Sequence, residues 1–227
     1  MGSSLTIPTD TMQCMGAWRA DPTGEPRGGI VVIQEIYGLN AHIRGVVDRY
    51  AALGYTAIAP AIFDYAESGA ELEYDAAGTA HGRALAAEVG FERAVAAVAS
   101  AANAIASAGR IGVVGYCWGG SVAFLAATRL GLPAVSYYGA RSVPFLHEKA
   151  QAPLLFHFGE RDSLIPPQDI AAHREAQPQA EFHVYPASHA FNREVGENYE
   201  PASAALALQR SLAFFARHLA TPTAGAA

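Results

Sequence analysis

Apolar residues in this chain fall into short runs separated by polar, glycine- or proline-bearing stretches. Gly28–Glu35 (GGIVVIQE) is a β-branched run behind the Pro/Gly-rich DPTGEPRGG and reads as a buried strand. The preceding segment TMQCMGAWRA, residues 11–20, can pair with it as an antiparallel edge. Tyr55–Ala61 (YTAIAPA) and Arg110–Tyr116 (RIGVVGY) are two further buried strands, and LPAVSYYG, APLLFHFG and EFHVYP continue the series. Between them lie helical patterns. Asn40 can cap a helix that runs through Arg49 to Leu53 and stops at Gly54. An Ala-rich helical region extends to about Ala108, SVAFLAATRL forms a helix, and the stretch from Pro201 to about His218 is amphipathic.

Strands that alternate with helices imply a mostly parallel sheet covered by helices on both faces. Strands buried on both sides read as continuous apolar runs, as these do. In such sheets function collects beyond the carboxyl ends of the strands, so the residues just after each run carry the interest.

Length and composition narrow the picture. A chain of 227 residues with 51% hydrophobic residues suits one α/β domain spanning 1–227, with TPTAGAA at 221–227 as a frayed tail. A net charge of −6 without basic clusters argues against nucleic acid as a partner. No apolar run is long enough to span a bilayer, and MGSSLTIPTD lacks the layout of a secretory signal. Two cysteines, Cys14 and Cys117, are too few for a disulfide scaffold and fit a reducing, cytoplasmic setting. A monomer or small homo-oligomer is expected.

The chemistry centres on GYCWGG, residues Gly115–Gly120. Cys117 follows a strand and precedes a helix, with glycines two positions either side to let the backbone turn sharply. This is the context of a nucleophile elbow with cysteine in place of serine. A helix N-terminus also favours the thiolate. The competing reading is a buried structural cysteine at a glycine-rich turn. A dinucleotide-binding turn is disfavoured because GxGxxG is absent.

Two other strand ends supply partners. Asp162 follows APLLFHFG in FGERDSLIPP, and His189 follows EFHVYP in ASHAFNRE. The order Cys117, Asp162, His189 is nucleophile, acid, histidine. His189 would take the thiol proton, and Asp162 would fix the imidazole tautomer and balance its charge. Glu160 and Asp169 are competing acids that read better as solvated charges, and His157 and His183 lie within strands as core histidines. Glu35 ends the Gly28–Glu35 strand, where an isolated carboxylate is costly. It either pairs with Arg49 or another basic residue, or contacts Cys117 and tunes its protonation. The N–H groups of Ile36 and Trp118 are placed as oxyanion donors.

Taken together, QEIYGLN, GYCWGG, the Asp162 loop and SHAFNRE resemble the dienelactone hydrolase (carboxymethylenebutenolidase) family of the α/β-hydrolase superfamily, across nearly the whole chain. The resemblance implies a Cys117–His189–Asp162 triad, a Glu35 that contacts the resting thiol, and Arg193 as an anchor for a substrate carboxylate. Tyr37 and Tyr138 match pocket positions, and no metal or organic cofactor is implied. The chain departs from the pattern at Ala190, where familiar members carry serine, and no second carboxylate-binding arginine is evident. His81 or Arg83 could substitute, although both read better as helix-surface residues.

The expected activity is hydrolysis of a small-molecule carboxylic ester or lactone through an acyl-cysteine. Alternatives are a thiol-dependent aryl esterase or phosphotriesterase, and, least favoured, a thiol-based sensor or binding module. The polar stretch Asp64–Thr79 is a candidate pocket wall or lid.

Overall fold

The computed structural model describes residues 1–9 and 14–220. Residues 11–13 of the TMQCMGAWRA segment and the TPTAGAA tail lie outside them. The chain begins with β1 (Ser3–Pro8) and β2 (Cys14–Ala20), then β3 (Gly29–Ile33), helix α1 (Ala41–Ala52) and β4 (Thr56–Pro60). A short 3₁₀ turn at Ile62–Tyr65 leads to the long helix α2 (Ala76–Ala104). There follow β5 (Ile111–Tyr116), α3 (Trp118–Arg129), β6 (Ala134–Tyr137), β7 (Leu154–Gly159), α4 (Pro167–Ala176), β8 (Glu181–Tyr185) and α5 (Pro201–Leu219).

The strands form one sheet in the order β1-β2-β4-β3-β5-β6-β7-β8. From β4 to β8 every pairing is parallel, whereas β1–β2 and β2–β4 are antiparallel. The all-buried runs of β3, β4 and β7 occupy the interior, as expected of strands covered on both sides. Helices α1 and α5 meet on one face, where Tyr50 packs edge-on against Phe215 at 6.1 Å. On the other, Phe124 of α3 packs on Phe156 of β7, which also meets His173 of α4. This is the α/β-hydrolase arrangement.

Local chemistry sets the ends of the helices. The Asn40 side chain accepts the Ile43 N–H at 3.2 Å and starts α1, and Gly54 (φ 95°) turns the chain out of it. Asp75 accepts the Gly78 N–H at 2.7 Å and starts α2. Pro201 occupies the first turn of α5, where its missing N–H costs nothing.

Three expectations change. The segment upstream of β3 does not pair with it: β2 lies between β1 and β4, because β4 and β5 already fill both edges of β3. The true edge is β1, largely exposed and too polar to stand out as an apolar run. The helix after Cys117 starts at Trp118, three residues before SVAFLAATRL, since its glycines are accommodated within the first turn.

Candidate active site

Cys117 sits between β5 and α3 with φ 55° and ψ −117°, a combination L-residues rarely adopt. The bend is therefore carried by the cysteine itself. The flanking glycines serve a different purpose. A Cβ on Gly115 would stand 1.8 Å from the Gly119 carbonyl oxygen, and one on Gly119 would stand 2.4 Å from that of Gln34. They let backbone pack on backbone so that the elbow can form.

Three strand ends converge on this elbow. His189 Nε2 lies 3.2 Å from Cys117 Sγ, and His189 Nδ1 lies 2.7 Å from Asp162 Oδ2. The Asp162 side chain is fully buried, and its other oxygen accepts the Leu164 N–H at 2.9 Å. Burial works against charge on His189, but the hydrogen bonds to Asp162 and Cys117 outweigh it and push the imidazole up to about 10. Neither Glu160 nor Asp169 takes Asp162's place: Glu160 is exposed, and Asp169 bonds His173 through its backbone oxygen.

Glu35 is 1% exposed, and among the described residues neither of its oxygens has a hydrogen-bond partner. The expected contact with Cys117 is not made, because the thiol is engaged by His189 instead. Pairing with Arg49 is not made either: Arg49 bonds Glu194. The nearest charge to Glu35 is Arg193, with Nη1 3.7 Å from Oε2. Burial raises the Glu35 carboxyl, and Arg193 and His189 partly draw it back.

Arg193 itself is held by aromatic rings. Its guanidinium lies 4.2 Å from the Tyr74 ring centre and 5.7 Å from that of Tyr37, while Nε donates to the Val195 carbonyl. Tyr37 shares a hydrogen bond with Thr79, and the Tyr74 hydroxyl accepts from Asn40 at 2.9 Å. The segment Asp64–Thr79 thus contributes Tyr74 beside the site. Tyr74 gave no signal in the sequence, being one tyrosine in a polar loop. His42, on α1, is held down to about 4, first by burial and then by the Arg193 charge. His81 and Arg83 are both exposed, and His81 bonds Glu67, so neither supplies a second cation.

Ile36 follows β3 and Trp118 opens α3, where first-turn N–H groups lack helical partners. The Trp118 ring is buried against Phe63 and Phe91. Tyr138 is fully buried with φ 41°, its ring centre 5.1 Å from that of His189. Among the described residues its hydroxyl has no partner. No group of three or more His, Cys, Asp or Glu side chains is arranged to hold a metal, and no helix is long and apolar enough to cross a membrane, again among the described residues.

Comparison with known proteins identifies the family. Residues 15–219 match the model of the dienelactone hydrolase family. Carboxymethylenebutenolidase of Pseudomonas putida is 34% identical, over 88% of this chain and 90% of its own. An Azospirillum brasilense protein provisionally described as a carboxymethylenebutenolidase is also 34% identical, over 96% of this chain and 99% of its own. The crystal structure of a Klebsiella pneumoniae protein provisionally described as a dienelactone hydrolase superposes with a TM-score of 0.84 at 30% identity, covering 96% of this chain and 98% of that one. The chain belongs to the dienelactone hydrolase family and is a hydrolase of the ester and lactone class.

Proposed function

We propose that this hydrolase works through an acyl-cysteine formed on Cys117, with His189 and Asp162 as its proton-transfer partners. The observation that carries the reading is the continuous hydrogen-bonded line from Cys117 Sγ through the His189 ring to Asp162. His189 Nε2 takes the thiol proton, and the thiolate attacks the carbonyl carbon of an ester or lactone. The oxygen of the tetrahedral intermediate gathers negative charge and is held by the Ile36 and Trp118 N–H groups. Collapse breaks the acyl C–O bond, and the departing oxygen takes the proton from His189 or leaves as an enolate. Water then attacks the thioester and frees Cys117, giving its proton to His189 where the departing oxygen has already taken the first proton, or to the enolate where the product left as one. Tyr138 and Tyr37 form walls of the pocket.

Arg193 is the anchor for a carboxylate on the substrate. In the free enzyme its counter-charge is Glu35. An arriving substrate carboxylate competes for the guanidinium, and the buried Glu35, relieved of that partner, is free to act on the Cys117 thiol. Two substitutions test this. Cys117→Ala should abolish hydrolysis of p-nitrophenyl esters, and retained turnover would sink the mechanism. Arg193→Ala should slow carboxylate-bearing lactones far more than neutral aryl esters. An equal loss on both substrate types would refute the anchor.

A further inference from the structure

Beneath the site, on the α5 face of the sheet, lies a closed polar cluster that the mechanism above does not use. His157, Tyr137, Tyr185 and Ser211 are at most 2% exposed. Tyr185 Oη lies 2.8 Å from His157 Nδ1, and His157 Nε2 lies 3.0 Å from Ser211 Oγ. Tyr137 Oη lies 2.8 Å from the same Ser211 oxygen, which itself donates to the Ala207 carbonyl at 2.9 Å. The proton positions follow from donor counting. Ser211 has one hydrogen and gives it to Ala207, so its oxygen must accept from both Tyr137 and His157. His157 therefore carries its proton on Nε2, and Nδ1 accepts from Tyr185. Every donor in the cluster has an acceptor, which burial demands.

The members stand close in sequence to the reacting groups. His157 is on β7, five residues before Asp162, and Tyr185 ends β8, four residues before His189. The Tyr137 carbonyl accepts the Cys117 N–H at 3.0 Å, and the His157 carbonyl accepts the Tyr138 N–H at 2.8 Å. The Tyr185 ring packs 5.1 Å from Phe191, two residues past His189. Ser211 on α5 thus bonds side chains of β6 and β7 and reaches β8 through His157 and Tyr185, while the Cys117 turn after β5 meets the cluster through the Tyr137 backbone.

We propose that His157, as the neutral Nε2–H tautomer, is a positioning residue that fixes the Asp162 and His189 loops relative to each other through Tyr185 and Ser211. It touches no substrate. Its effect is on the length and angle of the Asp162–His189 hydrogen bond, and this inference rests on the proposed triad.

The test is Tyr185→Phe and His157→Phe, singly and together, assayed on a p-nitrophenyl ester with thermal unfolding followed in parallel. Tyr185→Phe keeps the ring packing and removes one hydroxyl. The expected result is a kcat loss between about tenfold and a hundredfold with KM nearly unchanged, the scale a small misplacement produces. The alkaline limb of the pH profile should move to lower pH as His189 loses its grip on Asp162. The double variant should be no slower than the worse single one, because both cut the same link. Wild-type kcat and pH profile in folded Tyr185→Phe would overturn the proposal, as would losses that multiply in the double variant. If His157→Phe fails to fold, Tyr185→Phe alone decides. Cys117→Ala in the same assay separates the two levels. If it is inactive while Tyr185→Phe is wild-type, only the positioning role falls. Turnover surviving in Cys117→Ala overturns the triad and the positioning role with it.

Discussion

At the scale of single residues, the account turns on what surrounds His189. Its imidazole is raised to about 10 against the burial cost by bonds to Asp162 and Cys117, so once His189 has taken the thiol proton the charged ring that results persists through neutral pH and is lost only as pH climbs toward that value. Because the folded value lies above the ordinary 6.5, the pair's stabilising contribution is full below 6.5 and disappears as pH rises through about 10. The alkaline limb of kcat/KM should therefore lie well above neutrality. Asp162→Asn removes a raising partner and should shift that limb downward, with kcat falling roughly 10²–10⁴-fold, the usual worth of positioned proton transfer. A limb unmoved in Asp162→Asn would show that Asp162 does not govern His189. The Glu35–Arg193 pair was less legible. Glu35 stood out as a buried carboxylate at a strand end, but Arg193 and Tyr74, whose ring holds the guanidinium opposite it, are both distant from it in sequence. Short-range pattern carries no trace of such a meeting.

At the scale of elements, two glycines on α2 make opposite predictions. Gly82 lies where α2 crosses the loop after β3, and a Cβ there would stand 1.8 Å from the Ile36 carbonyl oxygen. Gly82→Ala must push that loop away, so the Ile36 N–H leaves its place. The loss of one oxyanion donor costs on the order of 10²–10³ in kcat. Gly90 sits at a kink in the same helix with φ 69° and ψ 174°, a region almost reserved for glycine, and has open space around it. Gly90→Ala should lower stability by about 1–3 kcal/mol, measured by urea unfolding, while leaving kcat of the folded enzyme unchanged. Wild-type kcat in Gly82→Ala would mean the Ile36 amide is not a donor. The buried parallel strands and the capped helices were readable because each has a local signature: an apolar run, an Asn or Asp cap, a closing glycine. β1 was not, since an exposed edge strand needs no apolar run.

At the scale of the whole molecule, the sheet orders the chemistry. Cys117, Asp162 and His189, the proposed nucleophile, acid and base, leave β5, β7 and β8, three strands separated by long stretches of sequence yet close neighbours in the sheet. That convergence could be anticipated because parallel sheets place strand ends on one edge. The supporting cluster around Ser211 could not, because His157 looks like any core histidine until α5 docks. Its burial has a further consequence. His157 is held well below its ordinary 6.5 by burial, with His183 and Arg210 adding to the effect; Tyr137 and Tyr185, the other groups facing it, are neutral phenols. A histidine kept neutral in the fold binds a proton more readily when unfolded. Its contribution to stability is therefore present above pH 6.5 and declines as pH falls below it. In denaturant titrations at successive pH values, the acid-side loss should be shallower in His157→Phe than in wild type; equal slopes would show that His157 is not the group responsible.

The central claim, that catalysis runs through an acyl-cysteine, is tested most directly by intact-protein and peptide mass spectrometry of enzyme quenched in acid during turnover of p-nitrophenyl acetate. One acetyl group on the peptide containing Cys117, absent in Cys117→Ala, is the predicted result. Full turnover with Cys117 unmodified, or an acetyl group that accumulates on another residue at the rate of turnover, would contradict it.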